Sequence, residues 1–175
     1  MKHPFMIRVC RMLALLIVQL LILNHLHLFG YATPLVIGYM IICFETSVSQ
    51  MQLLWWGFIM GFIYDIFSNT MGAGMFSCTL LAMTKPYILH LYMPRDITES
   101  FKPTIQTLSL SRYIWYVLSC MGVLHVSFYL LEAFTLSDFW LTLGAMFGGT
   151  ILASLIAVCI EYIVHNKLQD REQGK

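Results

Sequence analysis

The chain is a succession of apolar runs, each near the length that crosses a bilayer, with Lys and Arg gathered at three places. A membrane helix needs about 20 mostly apolar residues. Its backbone amides and carbonyls find no water in the hydrocarbon layer and must bond within the segment. The sequence predicts six such helices, over residues 12–28, 33–44, 50–67, 73–92, 112–134 and 136–164. The second is short, with Pro34 near its start and Gly38 inside. A polar connection fills residues 93–111, and a charged tail, expected to fray, fills 165–175. The whole chain, residues 1–175, reads as a single membrane domain.

Composition excludes the other classes. Hydrophobic residues make up 59% of the chain and charged residues 11%, whereas a soluble domain carries about 25% charged residues. So little charge cannot cover a water-facing surface, and disorder needs low hydrophobicity and high charge. The basic residues form no stripe, so nucleic acid is not an expected partner. The five cysteines, Cys10, Cys43, Cys78, Cys120 and Cys159, contain no CxxC pair. They read as small hydrophobes in helices, not as a metal site or a disulfide framework. No cofactor is expected.

Charge bias tests the six-helix parse. The ten basic residues fall at the N-terminus (Lys2, Arg8, Arg11), around the polar connection (Lys85, Arg95, Lys102, Arg112) and at the C-terminus (Lys167, Arg171, Lys175). If Lys and Arg mark the cytoplasm, an even number of crossings separates each group from the next. Four and then two satisfy this, with both termini cytoplasmic. A surface-lying second segment would split the basic residues across the membrane, so it crosses, or enters and returns with a neighbour. The first run is also open to reading as a secretory signal. Yet Asn24-His25-Leu26-His27 follows it in place of small residues, and a retained helix is the better reading.

Ionisable residues inside spans are costly and mark candidate sites. Asp65 closes the run Gly57-Phe-Ile-Met-Gly61-Phe-Ile-Tyr-Asp65. Residues four apart share a helical face, so Gly57, Gly61 and Asp65 form a seam for a neighbouring backbone. Asp65 is expected to cap that seam, with Ser68, Asn69 or Thr70 as partners, in preference to a substrate or proton role. Lys85 precedes the helix-bending Pro86 and is read as a snorkelling anchor, with Glu161 at comparable depth as a possible ion-pair partner. His25, His27, His125 and Glu132 match no metal-ligand spacing. Gly144 and Gly148 make a second GxxxG, which favours close helix packing. Phosphate-loop, zinc-protease and nucleophile-elbow motifs are all missing, and an enzyme is not expected.

The continuation GFIMGFIYDIFSNTMGAGMFSCTLLAMTKPYIL resembles the rod shape-determining MreD family. The features that carry the likeness are Gly57, Gly61, Asp65, Ser68, Asn69, Gly72, Lys85 and Pro86, together with the upstream LILNHLHLFGYATPLVIGYMI. The likeness is strong over about residues 15–92, and beyond that rests on helix count and length. Ala73 and Gly74 stand where that family usually carries an aromatic or basic residue. The resemblance implies a non-catalytic scaffold of the bacterial inner membrane, with helix-packing or partner-docking roles for Gly57, Gly61, Asp65, Gly72, Gly144 and Gly148. For Gly144 and Gly148 that role rests on their GxxxG spacing, since they lie beyond the well-matched residues. The resemblance also implies an MreC-like partner, and through it MreB and the RodA/class B penicillin-binding synthase pair that builds lateral peptidoglycan. The implied fold is an all-α six-helix membrane bundle similar to the S components of energy-coupling factor transporters. That similarity supplies the rival expectation, a vitamin-binding transport component. The first helix, with only Ala14 in a Leu/Ile-rich run, lacks the Ala-rich docking face that S components often use.

Overall fold

The computed structural model describes residues 4–21, 34–70, 72–93, 101–132 and 139–173. All regular structure among them is helical: α1 (Pro4–Leu21), α2 (Gly38–Ile42), α3 (Gln50–Ser68), α4 (Ala73–Tyr92), α5 (Ile105–Leu108), α6 (Leu110–Glu132) and α7 (Phe139–Gln173). Three helical stretches are long and apolar enough to cross a membrane: α3, α6 and residues Thr142–Val164 of α7. Their outward faces carry Trp55, Phe58, Phe62 and Ile66 on α3, and Phe147, Ile151 and Leu155 on α7, all exposed. A soluble monomer rarely shows so continuous an apolar exterior; this is a membrane protein.

Local chemistry sets the helix ends. Ser49 caps α3 by accepting from the Gln52 amide at 3.4 Å, and Asn69 ends it in the left-handed region with φ 55°, a conformation Asn tolerates. Gly72, at φ 81°, opens α4. The 20-residue α4 is long enough to cross a bilayer but carries Ser77, Thr79, Thr84, Lys85 and His90. The three hydroxyls bond carbonyls one turn back, on Ala73, Met75 and Leu80, which hides their polarity within the helix. Pro86 cannot donate to the carbonyl of Ala82. Gln50, at the start of α3, donates instead to Ala82 (3.5 Å) and Met83 (3.2 Å).

Several boundaries differ from those the sequence predicts. The segment 33–44 is not a membrane-length helix: its regular part is the five-residue α2, flanked by turns, and Leu35 to Ile42 are buried. Pro34 and Gly38 disfavour a continuous helix there. Irregular backbone at membrane depth is tolerated where protein encloses it, and α1, α3, α4 and α6 do so. The connection expected over 93–111 contains α5, which a Thr104–Thr107 capping box starts. The segment expected to fray after residue 164 continues as helix to Gln173. The predicted ends of the first span and the fifth, residues 22–28 and 133–134, lie outside the described residues.

Contacts fix the directions. Asp65 meets the first residues of α4, and Tyr64 packs edge-on against Phe128, in the last third of α6, with ring centroids 6.1 Å apart. These define one end of the bundle, the Asp65 end. At the other end Thr46 bonds Phe101 through both backbone and hydroxyl, and Lys102 pairs with Glu45 at 3.0 Å. Between these ends α1 runs toward Asp65, residues 34–46 run away from it, α3 toward, α4 away, α6 toward and α7 away.

Candidate functional site

Enclosing residues 34–44 creates a problem that side chains from three helices solve. Backbone groups outside a regular helix need partners when buried. Gln19 of α1, fully buried, accepts from the Val36 amide at 2.8 Å and donates to the Pro34 carbonyl at 3.0 Å. His125 of α6 accepts from the Leu35 amide through Nε2 at 3.2 Å, while its Nδ1 lies 2.9 Å from the Met121 carbonyl. That pair of bonds assigns a neutral ring with the proton on Nδ1. At the far end, Tyr116 donates to the Ile42 carbonyl at 3.2 Å and Lys85 to the Phe44 carbonyl at 2.6 Å. The last carbonyls of a helix lack internal partners and carry partial negative charge, so a cation fits there. Tyr39 projects from α2 and donates to Glu161 Oε2 of α7 at 2.6 Å.

A second polar knot joins α3 to α4. Gly72, at the N-cap position of α4, has no side chain to offer. Asp65 supplies the cap from the preceding helix, accepting from the Gly74 and Met75 amides at 2.8 Å each, and from the Thr70 hydroxyl. Its charge also faces the positive end of α4. The glycines below it let the two backbones touch. A Cβ on Gly57 would stand 2.7 Å from the Cys78 carbonyl oxygen, and one on Gly61 would stand 2.4 Å from Met75 Cα. On the α4 side, a Cβ on Gly74 would meet Asp65 Oδ1 at 2.7 Å.

The predicted site residues therefore separate into groups. Gly57, Gly61, Asp65 and Gly72 lie together at the α3–α4 contact. Asp65 takes Thr70 from its expected partners, and adds two amides that were not expected. Lys85 and Glu161 do not pair; each is buried and holds a different point of the broken segment. Nor does Lys85 snorkel, since its ammonium turns inward to Phe44. His125 is spent on backbone, seven residues from an exposed Glu132. Gly144 and Gly148 are exposed, and nothing stands within 4 Å of a Cβ placed on Gly144, so Gly144 makes no close helix contact among the described residues. His25 and His27 lie outside the described residues. No three His, Cys, Asp or Glu side chains gather at metal-binding distance among the described residues.

Sequence reasoning missed Gln19, Tyr39, Tyr116 and Gly74. One signal pointed toward them: a run too short to cross as a helix needs side chains from elsewhere to satisfy its backbone. No protein-family model, curated protein or solved structure matches this chain.

Proposed function

We propose that the chain is a non-catalytic scaffold subunit of the bacterial cell-elongation machinery, of the MreD type. It would maintain rod shape by docking the membrane helix of an MreC-like partner, and through it MreB and the RodA/class B penicillin-binding synthase pair. In this reading it crosses the inner membrane six times with both termini in the cytoplasm, and residues 34–46 form the second crossing. The alternating directions of the elements support that count, and Lys102 at the end opposite Asp65 supports the orientation.

The observation that carries the scaffold reading is where the polar side chains go. Gln19, Asp65, Lys85, Tyr116 and His125 all bond backbone groups of this chain. They stabilise a shape and leave no converging set of reactive groups among the described residues. The Gly57/Gly61 seam is filled by α4, so the docking surface belongs elsewhere. The open Gly144/Gly148 face of α7 suits a partner helix, because small residues admit close packing.

Crosslinking and pull-down from native membranes tests this. An MreC-like protein and the synthase pair are the expected captures, and Gly144→Leu with Gly148→Leu should reduce their recovery at least tenfold while the protein remains folded. Capture of transporter ATPases together with a stoichiometric vitamin-like molecule would instead establish the transport role. Gly61→Leu is unsuited to this test, because it breaks the α3–α4 contact.

A further inference from the structure

At the Lys102 end, a cavity of about 410 Å³ opens between α1 and α7, within the range of small-ligand sites. Its walls are Ala14 and Leu15 of α1 and Ile160 and Val164 of α7, and Met40 and Phe44 form its floor. The two helices do not close it. α1 packs on α3 and α2, and α7 on α6 and α5. Both helices turn apolar residues outward, Ile17 on one and Leu155 on the other, so the gap gives onto lipid.

Glu161 is set in this apolar wall and is 8% exposed. Tyr39 donates to its Oε2 at 2.6 Å, and Oε1 has no donor among the described residues. Two of the described cations at this end are engaged elsewhere. Lys102, at the cavity rim, pairs with Glu45 at 3.0 Å, and Lys85 bonds the Phe44 carbonyl at 2.6 Å. A carboxylate in apolar surroundings is strongly unfavourable until it meets a counter-charge. The site thus combines an apolar slot open to the bilayer with a carboxylate oxygen that no donor among the described residues fills.

We propose that this cavity binds an amphiphilic ammonium, with the amine seated on Glu161 and the hydrocarbon body lying between α1 and α7. The same chemistry is offered by an ethanolamine-headed phospholipid and by a free alkylamine. The site lies at the end opposite Asp65, and the inference is independent of the elongation role: either can fail without the other.

The test uses the full chain, delipidated in detergent and followed by native mass spectrometry. The probes are phosphatidylethanolamine, phosphatidylglycerol, n-octylamine and n-octanol. Retention of the amine-bearing probes over their amine-free counterparts by at least tenfold is expected. Glu161→Gln keeps the side-chain shape and removes the charge, and should lower that retention at least tenfold. Retention of phosphatidylethanolamine identifies a lipid source, and retention of octylamine alone identifies a free amine. Equal retention of octanol and octylamine, unchanged retention in Glu161→Gln, or no amine retained at all overturns the proposal. If Glu161→Gln fails to fold, Ala14→Trp decides the matter, since Ala14 is exposed and a large ring there fills the slot. Loss of amine retention in Ala14→Trp supports the site, and full retention overturns it.

Discussion

Asp65 shows how one side chain can join two helices that the sequence places in tandem. Its carboxylate has two oxygens, and the start of α4 presents two amides that have no partners within that helix. Hydrogen bonds to a charged group contribute about 1.5–3 kcal/mol each, so Asp65→Ala should cost about 3–5 kcal/mol. Asp65→Asn keeps one acceptor but turns an NH2 toward an N–H, and should lose roughly half as much. Unfolding midpoints in detergent measure both, and equal midpoints for wild type and Asp65→Ala would sink the cap assignment. The glycines make the complementary case. Gly61→Ala drives a methyl into backbone at 2.4 Å and should cost about 1–3 kcal/mol or more through overpacking. Gly144→Ala meets open space and should stabilise its helix by up to about 1 kcal/mol, because Ala is the better helix former. The same pair of midpoints tests that difference in sign.

At the scale of elements, α2 and its flanks depend on other helices for their polar bonds. Gln19 alone satisfies one amide and one carbonyl of that segment. Gln19→Leu keeps the volume roughly constant and leaves both groups buried and unpaired. The expected cost is about 2–5 kcal/mol, from roughly 1–3 kcal/mol for each orphaned group. Amide exchange at Val36 should accelerate well beyond that in the body of α6, and uniform exchange across both would refute a local role. Here lies the limit of the sequence. The Gly57, Gly61, Asp65 seam was legible because residues four apart share a helical face, and each of its members acts on the adjacent helix. Gln19 and His125 were not legible. A lone polar residue in an apolar helix looks the same whether it bonds its own turn, a neighbour or a ligand. Lys85 misled for a related reason: snorkelling and inward capping need the same long stem, and only the Phe44 carbonyl decides between them. The α7 extension to Gln173 was hidden by composition, since a charged stretch reads as tail while its backbone continues a helix.

For the whole molecule, the two ends differ in chemistry, and the proposed orientation follows from that difference. Lys102 and the Thr46–Phe101 tie lie at one end, and Asp65 with the α3–α4 link at the other. Retention of Lys and Arg in the cytoplasm then puts Ser47 inside and Asn69 outside, both exposed on the protein surface. The count of crossings depends on the same assignment. If residues 34–46 did not cross, α1 would end on the face where α3 begins, and the N-terminal basic residues would lie opposite Lys102. Single cysteines at these positions distinguish the cases in a Cys10→Ser, Cys159→Ser background, which removes the two exposed thiols. In intact spheroplasts a membrane-impermeant maleimide should label Asn69→Cys and spare Ser47→Cys until the membrane is opened. A third cysteine, Lys2→Cys, completes the logic. Six crossings require it to behave as Ser47→Cys does. Labelling from outside would instead mean that the broken segment returns to the face it entered, and five crossings would replace six.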